Sequence, residues 1–103
     1  MKSREKVKEY QEKYGVEALN LVIQRHILAS EKRNWFSIRY VSEDPEIERE
    51  CTEKMDELDK KIYKIDSQLL LHFGIDKNLR TQMIRSIKRA YPNDWMAGFV
   101  EDY

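Results

Sequence analysis

The sequence predicts an all-α protein: a helical bundle built on a long antiparallel, coiled-coil-like hairpin with two shorter C-terminal helices. The chain of 103 residues contains three Gly and two Pro, whereas β-rich folds need many such residues at hairpin turns and strand ends. Apolar residues recur instead at steps of three and four along most of the chain, which is the helical period. We therefore expect one helical domain covering residues 1–103.

The first helical stretch covers residues 3–33. Its apolar face consists of Val7, Tyr10, Tyr14, Ala18, Leu21 and Leu28. Gly15 interrupts this face, and a Gly inside a helix costs about 1 kcal/mol relative to Ala. The stretch is therefore either one helix bent at Gly15, which we favour, or two helices over residues 3–13 and 16–33. The apolar residues between 19 and 28 cover more than one face, which predicts contact with two neighbouring helices.

Residues 34–41 leave two structures open. Aromatic and β-branched residues dominate here and favour an extended chain, and Asn34 is a plausible helix end. A continued helix is the alternative. After the polar residues 42–44, Pro45 disfavours the helical conformation at Asp44, so we expect the chain to reverse here.

The longest predicted helix runs from Asp44 to Phe73. Asp44 can cap its amino end with Pro45 at the first helical position, and Gly74 provides a left-handed end. Its apolar residues alternate steps of four and three, the spacing of a narrow coiled-coil seam. The seam consists of Cys51, Met55, Leu58, Ile62, Ile65, Leu69 and then His72 or Phe73.

Two shorter helices are predicted after the long one. Asp76 caps a helix that continues to about Ala90 or Tyr91 and is stopped by Pro92 and Asn93. A short last helix then covers residues 94–103. Its aromatic residues are spaced at steps of four.

Overall charge predicts no class of partner, because 19 basic residues balance 19 acidic ones. Carboxylates nevertheless concentrate in residues 44–59, with eight acidic groups against two basic ones. Such a row can imitate a nucleic-acid backbone and occupy the basic groove of a nucleic-acid enzyme. Compensation of the helix dipole together with solubility is the interpretation that we favour.

A basic helix face is the sharpest functional signal. Residues 77–91 contain no acidic residue. The basic residues opposite the apolar side of this helix, with Arg80 at the border, are Lys77, Arg80, Arg85, Lys88 and Arg89. Such a face can contact nucleic-acid phosphates or an acidic partner, and a simple solvated face is the alternative that we favour. A helix-turn-helix motif is not matched, because Arg80 occupies the position after Gly74 where an apolar residue is expected.

Aromatic residues form two candidate anchors for a protein partner. One group comprises Trp35, Phe36 and Tyr40, and the other comprises Trp95, Phe99 and Tyr103. Large aromatic side chains contribute much of the binding energy at interfaces. The alternative is that they pack onto the core of their own chain, which we favour for the C-terminal group.

Patterns typical of enzymes are not found in the sequence. The two histidines, His26 and His72, lack metal-ligand spacing with other residues, and no Gly-rich phosphate loop is present. We expect no catalytic activity, cofactor, metal or small-molecule substrate. The single Cys51 lies on the seam and excludes a disulfide within the chain, which favours a reducing compartment and a cytoplasmic location. No apolar run reaches the roughly 20 residues that span a bilayer, so we expect neither export nor a membrane anchor.

These observations favour a small non-catalytic module for protein–protein interaction, an adaptor or inhibitor of a macromolecular partner. Chains of this composition are expected among accessory proteins of phages and mobile elements. The alternative hypothesis is a nucleic-acid-binding regulator that uses residues 77–91. We also expect a homodimer, because a straight hairpin leaves much of its apolar surface uncovered.

Overall fold

The computed structural model describes residues 2–99, and all four long elements in this range are helices. They are α1 (Lys2–Tyr14), α2 (Val16–Val41), α3 (Pro45–Phe73) and α4 (Lys77–Ala90), followed by a short 3-10 turn at Trp95–Ala97. No strand occurs in residues 2–99. The predicted all-α class is confirmed.

Helices α2 and α3 form the predicted antiparallel hairpin. Three polar pairs cross it: Arg25 Nε to Asp66 Oδ1 at 3.0 Å, Lys32 Nζ to Asp59 Oδ1 at 2.6 Å, and Arg39 Nη1 to Thr52 Oγ1 at 3.3 Å. Successive pairs lie seven residues apart on both helices, in opposite chain directions. Seven residues is the coiled-coil repeat, so the hairpin has the predicted coiled-coil character.

Both ends of α3 lie where the sequence predicts them. The Asp44 carboxylate accepts a hydrogen bond of 2.9 Å from the Glu46 amide. Gly74 adopts φ +68°, and its amide donates to the Leu70 carbonyl at 3.1 Å. The seam is also confirmed: Cys51, Leu58, Ile62, Ile65 and Leu69 are buried, whereas Met55 and Phe73 are half-buried and His72 is exposed.

Helix α2 is the central element of the fold. It packs along α3 and also contacts α1 and α4, as the apolar residues on more than one of its faces predict. Leu19 and Val22 of α2 are fully buried. The main core lies where α1, the first half of α2, the last turns of α3 and α4 meet. Its buried residues are Val7, Tyr10, Ala18, Leu19, Val22, Ile23, Ile65, Leu69, Ile75, Met83, Ile84, Ile87 and Ala90.

The hairpin extends well beyond this core. The molecule measures 50 × 29 × 26 Å, with a radius of gyration of 15.9 Å, against about 13 Å for a compact chain of this length. We call residues 30–62 the distal arm. Its buried residues are Cys51, Leu58 and Ile62, none of which belongs to the main core. The distal arm is therefore two helices thick and presents most of its surface to solvent.

The prediction of one bent helix over residues 3–33 is wrong. Gly15 adopts φ +88° and ψ 163°, an extended conformation that is accessible mainly to glycine. The helical path stops at Tyr14 and starts again at Val16. This break allows α1 to leave the axis of α2 and pack against α4.

Residues 34–41 are helical, so the extended alternative is wrong and Asn34 does not end a helix. α2 continues to Val41, and the Ser42 amide donates to the Ile38 carbonyl at 3.1 Å. Local β-propensity is overridden here because the helix packs along α3, and such tertiary context commonly outweighs propensity. The chain then reverses through Ser42–Asp44, as predicted.

The predicted last helix over residues 94–103 is wrong within the part that the structure describes. Trp95–Ala97 forms one 3-10 turn, and Gly98 then adopts φ +79° and ψ −171°, which no L-residue accepts easily. Within residues 2–99, α3 is therefore followed by α4 and by this short 3-10 turn. Residues 100–103 lie outside the described residues.

Candidate functional site

Arg80 belongs to an ion-pair network that joins three helices. Asp66 Oδ1 of α3 lies 3.0 Å from Arg25 Nε of α2 and 2.7 Å from Arg80 Nη1 of α4. The Arg80 side chain is only 11% exposed, and this burial lowers its pKa from the usual value. Contrary to our expectation, Arg80 stabilises the fold and lies apart from the exposed basic surface.

The other basic residues of α4 are exposed, and three of them line a groove. The groove has a volume of about 370 Å³ and lies between α2 and α4. Its lining residues are His26, Thr81, Ile84, Arg85, Lys88 and Arg89, and we call it the basic groove. Lys77 is exposed at the first turn of the same helix. Within residues 2–99, the ion pairs do not involve Arg85, Lys88 or Arg89.

His26 forms the α2 side of the basic groove. Its Nε2 lies 3.4 Å from Lys88 Nζ, and its ring meets the Trp95 ring edge-on at a centroid distance of 5.4 Å. Burial lowers the pKa of His26, and the positive charges of Lys88, Arg33 and Arg25 lower it further. A neutral His26 accepts a hydrogen bond from the Lys88 ammonium. The cationic neighbours show that the groove carries a positive field.

The C-terminal aromatic residues fold back onto the core. Trp95 and Phe99 pack partly buried against it, and Lys88 Nζ lies 5.3 Å from the centre of the Trp95 ring. Asn20 Nδ2 donates to the Phe99 carbonyl at 2.8 Å, and the Phe99 amide donates to Asn20 Oδ1 at 2.7 Å. These two hydrogen bonds fix the segment on α2. Tyr103 lies outside the described residues.

The other predicted aromatic anchors lie at the end of the hairpin. Phe36 is 49% exposed and Tyr40 is 81% exposed, and their rings stack at a centroid distance of 6.5 Å. Trp35 is half-buried. Ile38, Val41 and Ile47, on either side of the turn, are also exposed. We call the exposed apolar residues of this region the hairpin tip: Phe36, Ile38, Tyr40, Val41 and Ile47.

Two shallow grooves border the hairpin tip. One, of about 690 Å³, runs between α2 and α3 in the distal arm and is lined in part by Ala29, Phe36, Met55 and Ile62. The other, of about 570 Å³, crosses the start of α3 and includes Glu48 and Glu53. The carboxylates of the acidic segment that the sequence indicates, residues 44–59, are exposed, and Arg39 and Arg49 line the second groove together with Glu48 and Glu53. The tip is thus bordered by charged side chains of both signs.

Sequence reasoning identified part of each surface. At the tip it selected Phe36 and Tyr40 but missed Ile38, Val41 and Ile47, although all three lie close to a predicted chain reversal. At the basic groove it missed His26, which lies 62 positions before Lys88. No local pattern links positions so far apart, because their contact depends on how α4 crosses α2.

The described residues hold no cluster of metal-ligating side chains and no exposed thiol. Within residues 2–99, no group of three His, Cys, Asp or Glu side chains is placed to hold a metal ion. Cys51 is fully buried on the seam, where its thiol has no access to a substrate. None of the described helices combines the length and apolarity that crossing a membrane requires.

Comparisons with known proteins add no family to these observations. No protein-family model, curated protein sequence or solved structure gives a significant match to this chain. The function of the chain is therefore inferred from the chemistry of its own two surfaces, the hairpin tip and the basic groove.

Proposed function

We propose that this chain is a non-catalytic helical interaction module, an adaptor or inhibitor that docks on a protein partner through its hairpin tip. The observation that carries this proposal is the concentration of five exposed apolar side chains within residues 36–47, where the rings of Phe36 and Tyr40 are stacked. Scattered exposed apolar residues are normal on protein surfaces, whereas a cluster with a polar border is typical of an interaction site. Tyr40 and Val41 are the most exposed members, at 81% and 77%.

The surroundings of the tip indicate the chemistry of the partner. Exposed carboxylates follow the turn on α3, and Arg39 and Arg49 lie beside Glu48, so a complementary surface would be an apolar cleft with charged side chains of both signs at its rim. Opposite charges at the rim speed association, while the aromatic side chains supply most of the affinity. A rigid two-helix arm that carries such a tip can enter a cleft without first becoming ordered, which reduces the entropic cost of binding.

The location proposed for this module is the cytoplasm. Cys51 is the single cysteine of the chain, and it is a buried free thiol inside the hairpin. A fold that depends on a reduced thiol in its core is typical of a reducing compartment.

Capture from lysate of the native host tests the proposal when matched variants are compared. Phe36→Ala with Tyr40→Ala should abolish capture of a partner that the parent chain retains. The control is Met96→Ala, which truncates an apolar residue outside the tip and outside α3 that is 60% exposed. The control should retain the same partner, and both variants should unfold at the urea concentration of the parent. Equal capture by the tip variant and the control would refute docking through the tip.

Crosslinking then locates the contact on the captured complex. A photoreactive residue at position 40 should crosslink to the partner at an apolar site bordered by charged side chains. Crosslinks that form only from α4 would assign the interface to the opposite end of the molecule.

A further inference from the structure

The basic groove is a second surface with a chemistry of its own, at the end of the molecule opposite the hairpin tip. It is formed by two helices, with His26 from α2 and five residues from α4. Buried Ile84 forms part of its floor, and the exposed cations Arg85, Lys88 and Arg89 form its rim. Concave shape and a single sign of charge together focus the electrostatic field.

The positive charge of the groove extends along α4. Lys77, Thr81, Arg85 and Lys88 follow one another at helical spacing and lie on one exposed stripe of the helix. Lys77 and Lys88 are 11 positions apart, which corresponds to about 16 Å along a helix axis. Arg33 on α2 adds to the positive field felt at His26. The cations are thus distributed along a line and not gathered at one point, and a linear polyanion matches this arrangement better than a single small anion.

We propose that the basic groove binds the phosphate backbone of a nucleic acid. Lys77, Arg85, Lys88 and Arg89 contact successive phosphates, and the hydroxyl of Thr81 lies on the same stripe. His26 orients Lys88 through the contact of 3.4 Å between Nε2 and Nζ. Contacts of this kind neutralise phosphates without reading base edges, so binding has little dependence on sequence. This site is independent of the proposed docking at the hairpin tip.

Fluorescence anisotropy with labelled DNA tests the proposal. The probes are a single strand and a duplex of about 20 nucleotides, titrated with the full chain at about 50 and 200 mM salt. Arg85→Glu with Lys88→Glu should weaken binding at least about tenfold at the lower salt and reduce the salt slope by about two phosphate contacts. The control is Lys8→Glu with Lys13→Glu on α1, which makes the same change in net charge at exposed positions outside the groove and outside α3. It should weaken binding less than about threefold, as long-range screening by salt predicts.

Trp95 gives a second readout at the groove itself. In a Trp35→Phe variant, Trp95 is the remaining tryptophan, and its ring lies beside both His26 and Lys88. Addition of either DNA should change its fluorescence, and the change should disappear in the Arg85→Glu, Lys88→Glu background. Three results would overturn the proposal: no DNA binding by the parent at the lower salt, equal weakening in the control, or salt-dependent binding of the acidic first half of α3 of a second copy in place of DNA.

Discussion

The seam of α3 runs through two environments, the main core and the distal arm. Replacing one leucine in each by alanine compares how much the two environments contribute to the free energy of unfolding. Leu69 is fully buried in the main core, where all four helices meet. Leu58 is 5% exposed and lies in the distal arm, outside that core. We expect Leu69→Ala to lower the free energy of unfolding clearly more than Leu58→Ala.

The size of each loss in unfolding free energy depends on whether the space left by the removed carbons can collapse. Each substitution removes three carbons, which at about 0.8 kcal/mol per buried methylene gives about 2.4 kcal/mol. At Leu69 the enclosed cavity adds about 24 cal/mol per Å³ that cannot collapse, so the total should reach about 3 to 5 kcal/mol. At Leu58 only one helix faces the seam and solvent is nearby, so the neighbouring side chains can relax into the cavity. The loss of unfolding free energy should therefore stay at about 2 kcal/mol.

Urea unfolding followed by circular dichroism measures both losses. The control is Met96→Ala, a truncation at a position outside the seam and outside α3 that is 60% exposed, which should change the free energy of unfolding by less than about 0.5 kcal/mol. Equal losses in the two seam variants, or a larger loss at Leu58, would refute the division into a main core and a two-helix arm.

Three further substitutions test particular contacts. Asp66→Asn removes the charge shared by two arginines and should cost about 1.5 to 3 kcal/mol in urea unfolding. Gly98→Ala would place a Cβ 2.9 Å from Asn20 Oδ1 at a positive φ; it should cost about 1 to 3 kcal/mol and shift Trp95 emission to longer wavelength. The pKa of His26 is lowered in the folded chain, so the unfolded state binds its proton more readily. Stability should therefore fall as pH decreases below about 6.5, and His26→Gln should reduce that loss between about pH 7.5 and pH 5.

The boundaries of α3 and α4 were predictable because their signals are local. Asp44, Pro45 and Gly74 act on amides and carbonyls within one helical turn, and so does Asp76, whose carboxylate accepts from the Leu79 amide at 2.9 Å. The seam of α3 was predictable for a related reason. The alternation of steps of four and three predicts that one helix packs along α3, without identifying which helix it is.

The break at Gly15 and the path after α4 were not predictable, because contacts distant in sequence decide them. A glycine tolerates both a bend and a break, and the packing of α1 on α4 selects the break. The last aromatic residues have helical spacing, yet Phe99 exchanges hydrogen bonds with Asn20, which lies 79 positions earlier. Tertiary contacts of this kind override a short periodic pattern.

The sequence predicts which types of residue form the two surfaces, but not which individual residues belong to them. Exposed cations on α4 follow from its helical wheel, since the apolar residues occupy the opposite side. Arg80 lies at the border of that wheel, where a small rotation of α4 decides between solvent and Asp66. The structure places it on Asp66, which leaves the groove to residues nearer the middle of the exposed face.

The outer side of α3 leads to a last prediction, the homodimer. Tyr63, Leu70 and Leu71 are 75%, 55% and 80% exposed there, and α2 is the helix that packs along α3. Exposed carboxylates dominate the first half of α3, and Lys60, Lys61 and Lys64 are exposed in its second half. Two α3 helices arranged antiparallel about a two-fold axis would bring each acidic half beside the basic, apolar half of its partner.

We expect this arrangement to give a dimer at micromolar concentrations, with its interface at α3 and not at the tip. Leu70→Glu with Leu71→Glu should convert the dimer to monomer in sedimentation equilibrium, because four carboxylates would enter one apolar interface. Phe36→Ala with Tyr40→Ala should leave the dimer unchanged, since both residues lie on α2 and not on the outer side of α3. A parent chain that sediments at a constant 12.5 kDa up to high micromolar concentration would exclude the dimer and leave the outer side of α3 open to another partner.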